Sequence, residues 1–121
     1  MPPPRAETGR EEPARRIRVE RLFALFNAGA FDTMLESYAD GVKYATSMLP
    51  GLESDWAVGK AGYSLHLHRF HELYAPVVIE DIFGDDERTN IHIRLRDGTA
   101  AMFCVEIDEN KRVRQVYVFR T

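Results

Sequence analysis

The chain has 121 residues, 45% of them apolar and 29% charged, with a formal net charge of −3. That length and balance fit one globular domain, and the slight acidity argues against a nucleic-acid or anionic-membrane surface. Cys104 is the single cysteine and has no partner for an intrachain disulfide. No apolar run is long enough to span a membrane, and MPPPRAETGREE lacks the apolar centre of a secretion signal, so a cytoplasmic location is the expectation.

Residues 1–12 are rich in Pro, Glu and Arg without apolar periodicity, which predicts a disordered arm before a single domain over residues 13–121. A helix is predicted from Pro13, a residue that suits a first turn. Val19, Leu22, Phe23 and Phe26 form its apolar stripe, while Arg18, Glu20 and Arg21 fall outside it. Gly29 ends the helix in the left-handed position. Phe31, Met34, Leu35 and Tyr38 repeat the spacing in a short second helix that Asp40-Gly41 stops. Val42–Ser47 reads as a strand and residues 48–57 as a loop with Trp56 near its end. A third helix over residues 59–74 places Tyr63, His66, Leu67, Phe70, Leu73 and Tyr74 on one half, and Pro76 prevents its continuation.

The second part of the chain alternates apolar and polar residues in four runs, Val77–Phe83, Arg88–Arg96, Thr99–Ile107 and Arg112–Arg120, separated by GDDE, DG and DENK. This pattern predicts an antiparallel meander, with a two-residue turn at Asp97-Gly98. Even-numbered turns would put Asn90, His92 and Arg94 on one face with Ile79, Asp81, Ala101, Phe103, Val105, Val116 and Val118. The opposite face would then carry Ile91, Ile93, Leu95, Met102, Cys104, Gln115, Tyr117 and Phe119. An odd turn would flip a strand.

The stretch LFALFNAGAFDTMLESYADGVKY, with Asn27-Ala28-Gly29, Phe31-Asp32 and Tyr38-Ala39-Asp40, resembles the opening of nuclear transport factor 2-like domains, the superfamily that includes the ketosteroid isomerase-like and SnoaL-like groups. VGKAGYSLHLHRF is similar to the start of their third helix and VEIDENKRVRQVYVF to their last hairpin. The likeness covers roughly residues 14–120. It implies an α+β, cystatin-like cone, with three N-terminal helices packed on a curved antiparallel sheet around a pocket for a small hydrophobic molecule. It also implies pairing of two subunits through the outer sheet face. The superfamily holds isomerases, dehydratases, cyclases, epoxide hydrolases and non-catalytic binders, so fold alone does not select a chemistry.

The positions matching the steroid isomerases' catalytic tyrosine, aspartate and second acid are Leu22, Thr46 and Phe103, none of which can do the original work. A different polar set takes their place in the predicted pocket. His92 would act as base with Asp81 orienting it, and His66 or a tyrosine as proton donor. Phe23, Phe26, Tyr44, Thr46, Trp56, Phe70, Asn90, Phe103, Val116 and Val118 would complete the walls. A histidine on an apolar helix face is more often a buried, hydrogen-bonded core residue than a catalyst, and His66 carries that reading beside the chemical one. His66, His68 and His71 do not converge as metal ligands do, and no metal or cofactor is expected. Two readings stay open: a cofactor-free acid–base enzyme of the isomerase, dehydratase or cyclase type, and a non-catalytic ligand-binding or dimerisation module. A transport factor for a small GTPase has little in its favour. The apolar outer face predicts a symmetric homodimer.

Overall fold

The computed structural model describes residues 3–49 and 56–121, with side chains from Ala14 onward; residues 50–55 of the expected loop lie outside it. Helix α1 spans Pro3–Asn27 and α2 Phe31–Leu35, followed by strands β1, Tyr38–Thr46, and β2, Ala57–Val58. Helix α3, Lys60–Tyr74, then leads into β3, Val78–Gly84, β4, Arg88–Arg94, β5, Ala100–Ile107, and β6, Val113–Arg120. The stretch expected as an arm therefore has helical backbone from Pro3 on, ten residues before the predicted start.

Helix α1 buries Val19, Phe23 and Phe26, the predicted stripe, with Leu22 half-covered. It ends in a Schellman turn: Ala30 N donates to Leu25 O at 2.9 Å and Gly29 N to Phe26 O at 3.0 Å, with Gly29 at φ 75°. Asn27 then ties the helix to the sheet. Its Nδ2 donates to Val77 O and its Oδ1 accepts from Val77 N, both at 2.9 Å. Helix α2 is shorter than predicted. Tyr38 belongs to β1, and Asp40 and Gly41 are exposed where β1 bulges against β6, so this pair does not stop a helix.

The sheet has six strands in the order β2-β1-β6-β5-β4-β3. It is not wholly antiparallel, because β1 runs parallel to β6. All three helices precede the meander, but β1 and β2 separate α3 from the other two.

The β4–β5 turn has three residues rather than two. Leu95 N donates to Thr99 O at 2.8 Å, Gly98 N donates to Leu95 O at 2.9 Å, and Gly98 sits at φ 89°. This is a turn followed by a left-handed glycine, the usual three-residue hairpin loop. His92 consequently pairs with Met102, and Ile91 with Phe103. Strand β4 is thereby flipped relative to expectation. Ile91, Ile93 and Leu95 are buried in the core, while Asn90, His92 and Arg94 share the outer face with Met102 and Cys104.

Strand β3 has its own irregularity. A bulge between Ile79 and Asp81 leaves Ile79 opposite Ile93 but puts Asp81 opposite His92, on the outer side.

Candidate functional site

The interior between the helices and the sheet has two distinct ends. At one, Tyr38, Tyr44 and Tyr63 cluster with His66. The Tyr63 hydroxyl donates to the Tyr38 hydroxyl at 3.2 Å, and the Tyr63 ring stacks on His66 at 5.3 Å with 17° between planes. Tyr44 lies 5.1 Å from Tyr63 and 5.4 Å from His66, its hydroxyl against the space left by the missing side chain of Gly62. Burial raises the pKa of all three phenols, so they stay neutral donors.

His66 is 6% exposed and its Nδ1 has no hydrogen-bond partner among the described residues. Loss of solvent pushes its pKa down to about 4, which leaves a neutral imidazole at physiological pH. Beside it Phe23 packs edge-on against Phe103 at 5.1 Å, and Phe26 against Phe70 at 6.0 Å. The hollow among these rings, Met34, Leu67 and Val118 is only about 10 Å³, the space of a single water at most.

Most of the expected pocket wall is therefore core. Phe23, Phe26, Phe70, Phe103, Val116 and Val118 fill the interior. Thr46 is fully buried, and its hydroxyl accepts from Met48 N at 3.0 Å, which turns the chain out of β1. Trp56 is 48% exposed and lies 5.9 Å from Tyr117, an outer-face residue. Asn90, half-buried, is on the outer face for the same reason as His92.

The proposed catalytic set does not meet around one hollow. Asp81 and His92 are neighbours, as expected, but on the outer side, where the Asp81 carboxylate accepts from Ile82 N at 2.9 Å. Adjacent Glu80 holds Arg94 through two 3.0 Å bonds, which lower the Glu80 pKa and raise that of Arg94. His66 lies inside, across the sheet from them. His68 and His71 serve packing: they lie 4.4 and 5.4 Å from Phe31, and His71 Nε2 is 3.2 Å from Asn27 O. No group of three metal-ligating side chains occurs among the described residues.

The other end is open. Between α1 and strands β4, β5 and β6 lies a cleft of about 190 Å³. Val19, Leu22 and Leu25 form its helical side and Ile91, Val105 and Val113 its sheet side. Polar residues ring this apolar floor: Arg15, Arg18 and Arg21 from α1, Lys111 from the β5–β6 turn, Asp86 from the β3–β4 turn, and Ser37 and Thr89. Both turns are built by aspartates. Asp85 accepts from Glu87 N and Arg88 N, and Asp108 from Asn110 N and Arg112 N, with Lys111 at φ 64°.

Arg15 is the unusual member. It is 7% exposed, its Nη1 donates to Gly84 O at 3.0 Å, and its buried Nε has no partner among the described residues. Arg15, absent from the predicted site, sits one turn before Val19 on the apolar stripe of Val19, Leu22 and Phe26. A cation at a stripe position was the available signal.

Neither a family model nor a curated protein matches the chain. Solved structures do match in shape. A SnoaL-like protein of unknown function from Burkholderia thailandensis superposes with a TM-score of 0.70 at 19% identity, over 85% of this chain and 91% of that one. A bacterial protein with a cystatin-like fold from Silicibacter pomeroyi gives a TM-score of 0.74 at 10% identity, over 86% of this chain and 73% of its own.

The chain has the nuclear transport factor 2-like fold.

The same fold is shared by SalBIII, an epoxide hydrolase/cyclase-like enzyme with a role in pyran ring formation in the polyether salinomycin, at a TM-score of 0.68 and 16% identity, over 91% of this chain and 92% of that one. At such identities the likeness carries architecture and not chemistry. Within this nuclear transport factor 2-like fold the helix-ending Asn27-Ala28-Gly29 has a structural task, the clamp on Val77 and the Schellman turn.

Proposed function

We propose that the protein binds a small apolar molecule in the cleft beneath α1, and that His92, Asp81 and His66 do not form a catalytic set. The observation carrying this reading is the open cleft of about 190 Å³, somewhat larger than the roughly 150 Å³ apolar cavity that admits benzene. Neither histidine nor tyrosine lines it, and Asp86 and Lys111, the lining groups able to move a proton, belong to the surface turns that ring it, which favours binding over acid–base turnover. Fluorescence or thermal-shift titration with single-ring and short-chain compounds tests it, because a ligand of the folded state raises the melting temperature. Leu22→Trp, which fills the cleft from its half-open side, should abolish that rise while the free protein stays folded. A rise unchanged in Leu22→Trp would place the ligand elsewhere.

We also propose a homodimer through the outer sheet face. Tyr117 lies 5.5 Å from Phe119 and 5.9 Å from Trp56, a row of half-covered rings that continues to Met102 and Cys104, with Val78 and Phe83 exposed at the far edge. Monomers seldom leave such a face in water. Light scattering should return about twice the chain mass of 13.9 kDa, and Tyr117→Glu should halve it. A wild-type monomer would refute the dimer without touching the cleft.

A further inference from the structure

The cleft's charge is opposite in sign to the chain's. Four cations, Arg15, Arg18, Arg21 and Lys111, border it against one carboxylate, Asp86, in a protein of net charge −3. No salt bridge engages these four among the described residues, where ion pairs join Arg16 to Glu20, Lys60 to Asp40, Arg94 to Glu80 and Arg114 to Glu106. A low-dielectric groove lined by one sign of charge focuses its field on whatever enters.

Arg15 makes the mismatch specific. A guanidinium cannot shed its proton to relieve burial, and a buried N–H donor without an acceptor is costly. Gly84 O answers Nη1, the buried Nε has no partner among the described residues, and the guanidinium as a whole borders the cleft. The Asp85 carboxylate feels the Arg15 charge without forming a salt bridge to it, so a direct anionic acceptor for this guanidinium would have to enter through the cleft.

We infer that the cleft selects a small amphipathic carboxylate, with its apolar part among Leu22, Leu25 and Ile91 and its carboxylate on the Arg15 guanidinium. A carboxylate offers two oxygens in the plane of that group, and as a monoanion it matches one buried cation. The volume limits the apolar part to about one aromatic ring with a short link. Arg18, Arg21 and Lys111, nearer the mouth, attract the anion without holding it.

This inference rests on the cleft-binding reading, and one experiment separates the two. Amide chemical shifts of the full chain are titrated with phenylpropanoate, phenylpropanol, phenylpropylamine and phenylpropyl phosphate. Phenylpropanoate should move the resonances of Leu22, Leu25 and Ile91 and bind about tenfold or more tighter than the alcohol, the difference expected for a charge-assisted hydrogen bond. That advantage should disappear in Arg15→Met. In case this variant does not fold, Arg18→Gln should reduce it severalfold, and added salt should shrink it in the wild type. An alcohol or amine binding as tightly as the carboxylate overturns anion selection but leaves the cleft a binding site. A phosphate binding more tightly overturns the choice of head group. If no member of the series moves the cleft resonances, the carboxylate is refuted and the binding reading falls with it.

Discussion

The two ends of the interior each bury a basic side chain with one nitrogen unpaired among the described residues, and they differ in how the chain resolves it. His66 sits among Tyr44, Tyr63 and Phe70 beside a hollow of about 10 Å³. An imidazole can become neutral, and burial drives its pKa down to about 4. Arg15 borders a cleft of about 190 Å³ and has no neutral form to adopt. The comparison teaches that a closed core tolerates a group that can lose its charge, whereas a group that cannot lose it belongs where a counter-charge can enter. A buried charge that cannot be shed is therefore informative when space accompanies it.

The largest expected effect tests whether the two ends differ in packing. Phe103→Ala removes a buried ring that meets Phe23 edge-on, and should cost about 3–5 kcal/mol in denaturant unfolding. Leu22→Ala, at the cleft, removes a half-covered side chain whose neighbours are already missing on one side, and should cost about 1 kcal/mol. Equal costs would mean that the cleft is packed in solution and the contrast is false.

Next comes the protonation state of His66. The folded protein binds its proton only near pH 4, the unfolded chain already near 6.5. Between those values the unfolded state holds more protons, so stability falls as pH falls. The contribution is complete above about pH 6.5, is lost on the way down to about pH 4, and amounts to roughly 3 kcal/mol. His66→Leu should lose this component, so that the stability difference between variant and wild type widens in the variant's favour across that window. A difference independent of pH would show that the imidazole is solvated and the core more open than the rings imply.

The clamp between the end of α1 and Val77 should give a smaller loss. Asn27→Ala strips the partners from Val77 N and Val77 O, a destabilisation of about 2 kcal/mol. Because the clamp lies outside the cleft, ligand binding by the remaining folded protein should not change. A loss of binding greater than the loss of folded protein would mean that the cleft depends on where α1 ends.

How far the sequence could be read follows the same division. The stripes of α1 and α3 were legible because the period of an apolar helix face survives any error in its ends: Val19, Phe23, Phe26, Tyr63, His66, Leu67 and Phe70 are buried as expected, while at the end of α3 Tyr74 is half-buried and Leu73 exposed. β1 and the four meander strands were legible too, though not the two-residue β2 in the stretch read as a loop, and the nuclear transport factor 2-like resemblance agrees with the solved structures of that fold. The faces of β4 were not, because Arg96-Asp97-Gly98-Thr99 can close a two- or a three-residue turn and the choice inverts every side chain. The apolar set Ile91, Ile93 and Leu95 held the better clue. Burying three aliphatic side chains outweighs a turn preference, and those residues are core. The bulge at Glu80 left no comparable mark in the pattern, so the side taken by Asp81 could not be read. Arg15 could have been found as a cation on an apolar stripe, but that position has meaning only once the sheet opposite it is known to leave a gap.

The smallest expected effect bears on the pair that first suggested catalysis. His92 and Asp81 stand opposite each other on the outer side of β4 and β3, away from both the aromatic core and the cleft. No buried hydrogen bond depends on either side chain among the described residues, and Asp81 is exposed. His92→Ala should therefore change stability by no more than about 0.5 kcal/mol and leave carboxylate binding in the cleft unaltered. The comparison with His66→Leu then isolates location from residue type, since both variants remove an imidazole and only that of His66 is buried. If His92→Ala weakened ligand binding while the mass in light scattering stayed that of the wild type, the outer face and not the cleft would hold the ligand, and the contrast between the two interior ends would lose its functional meaning.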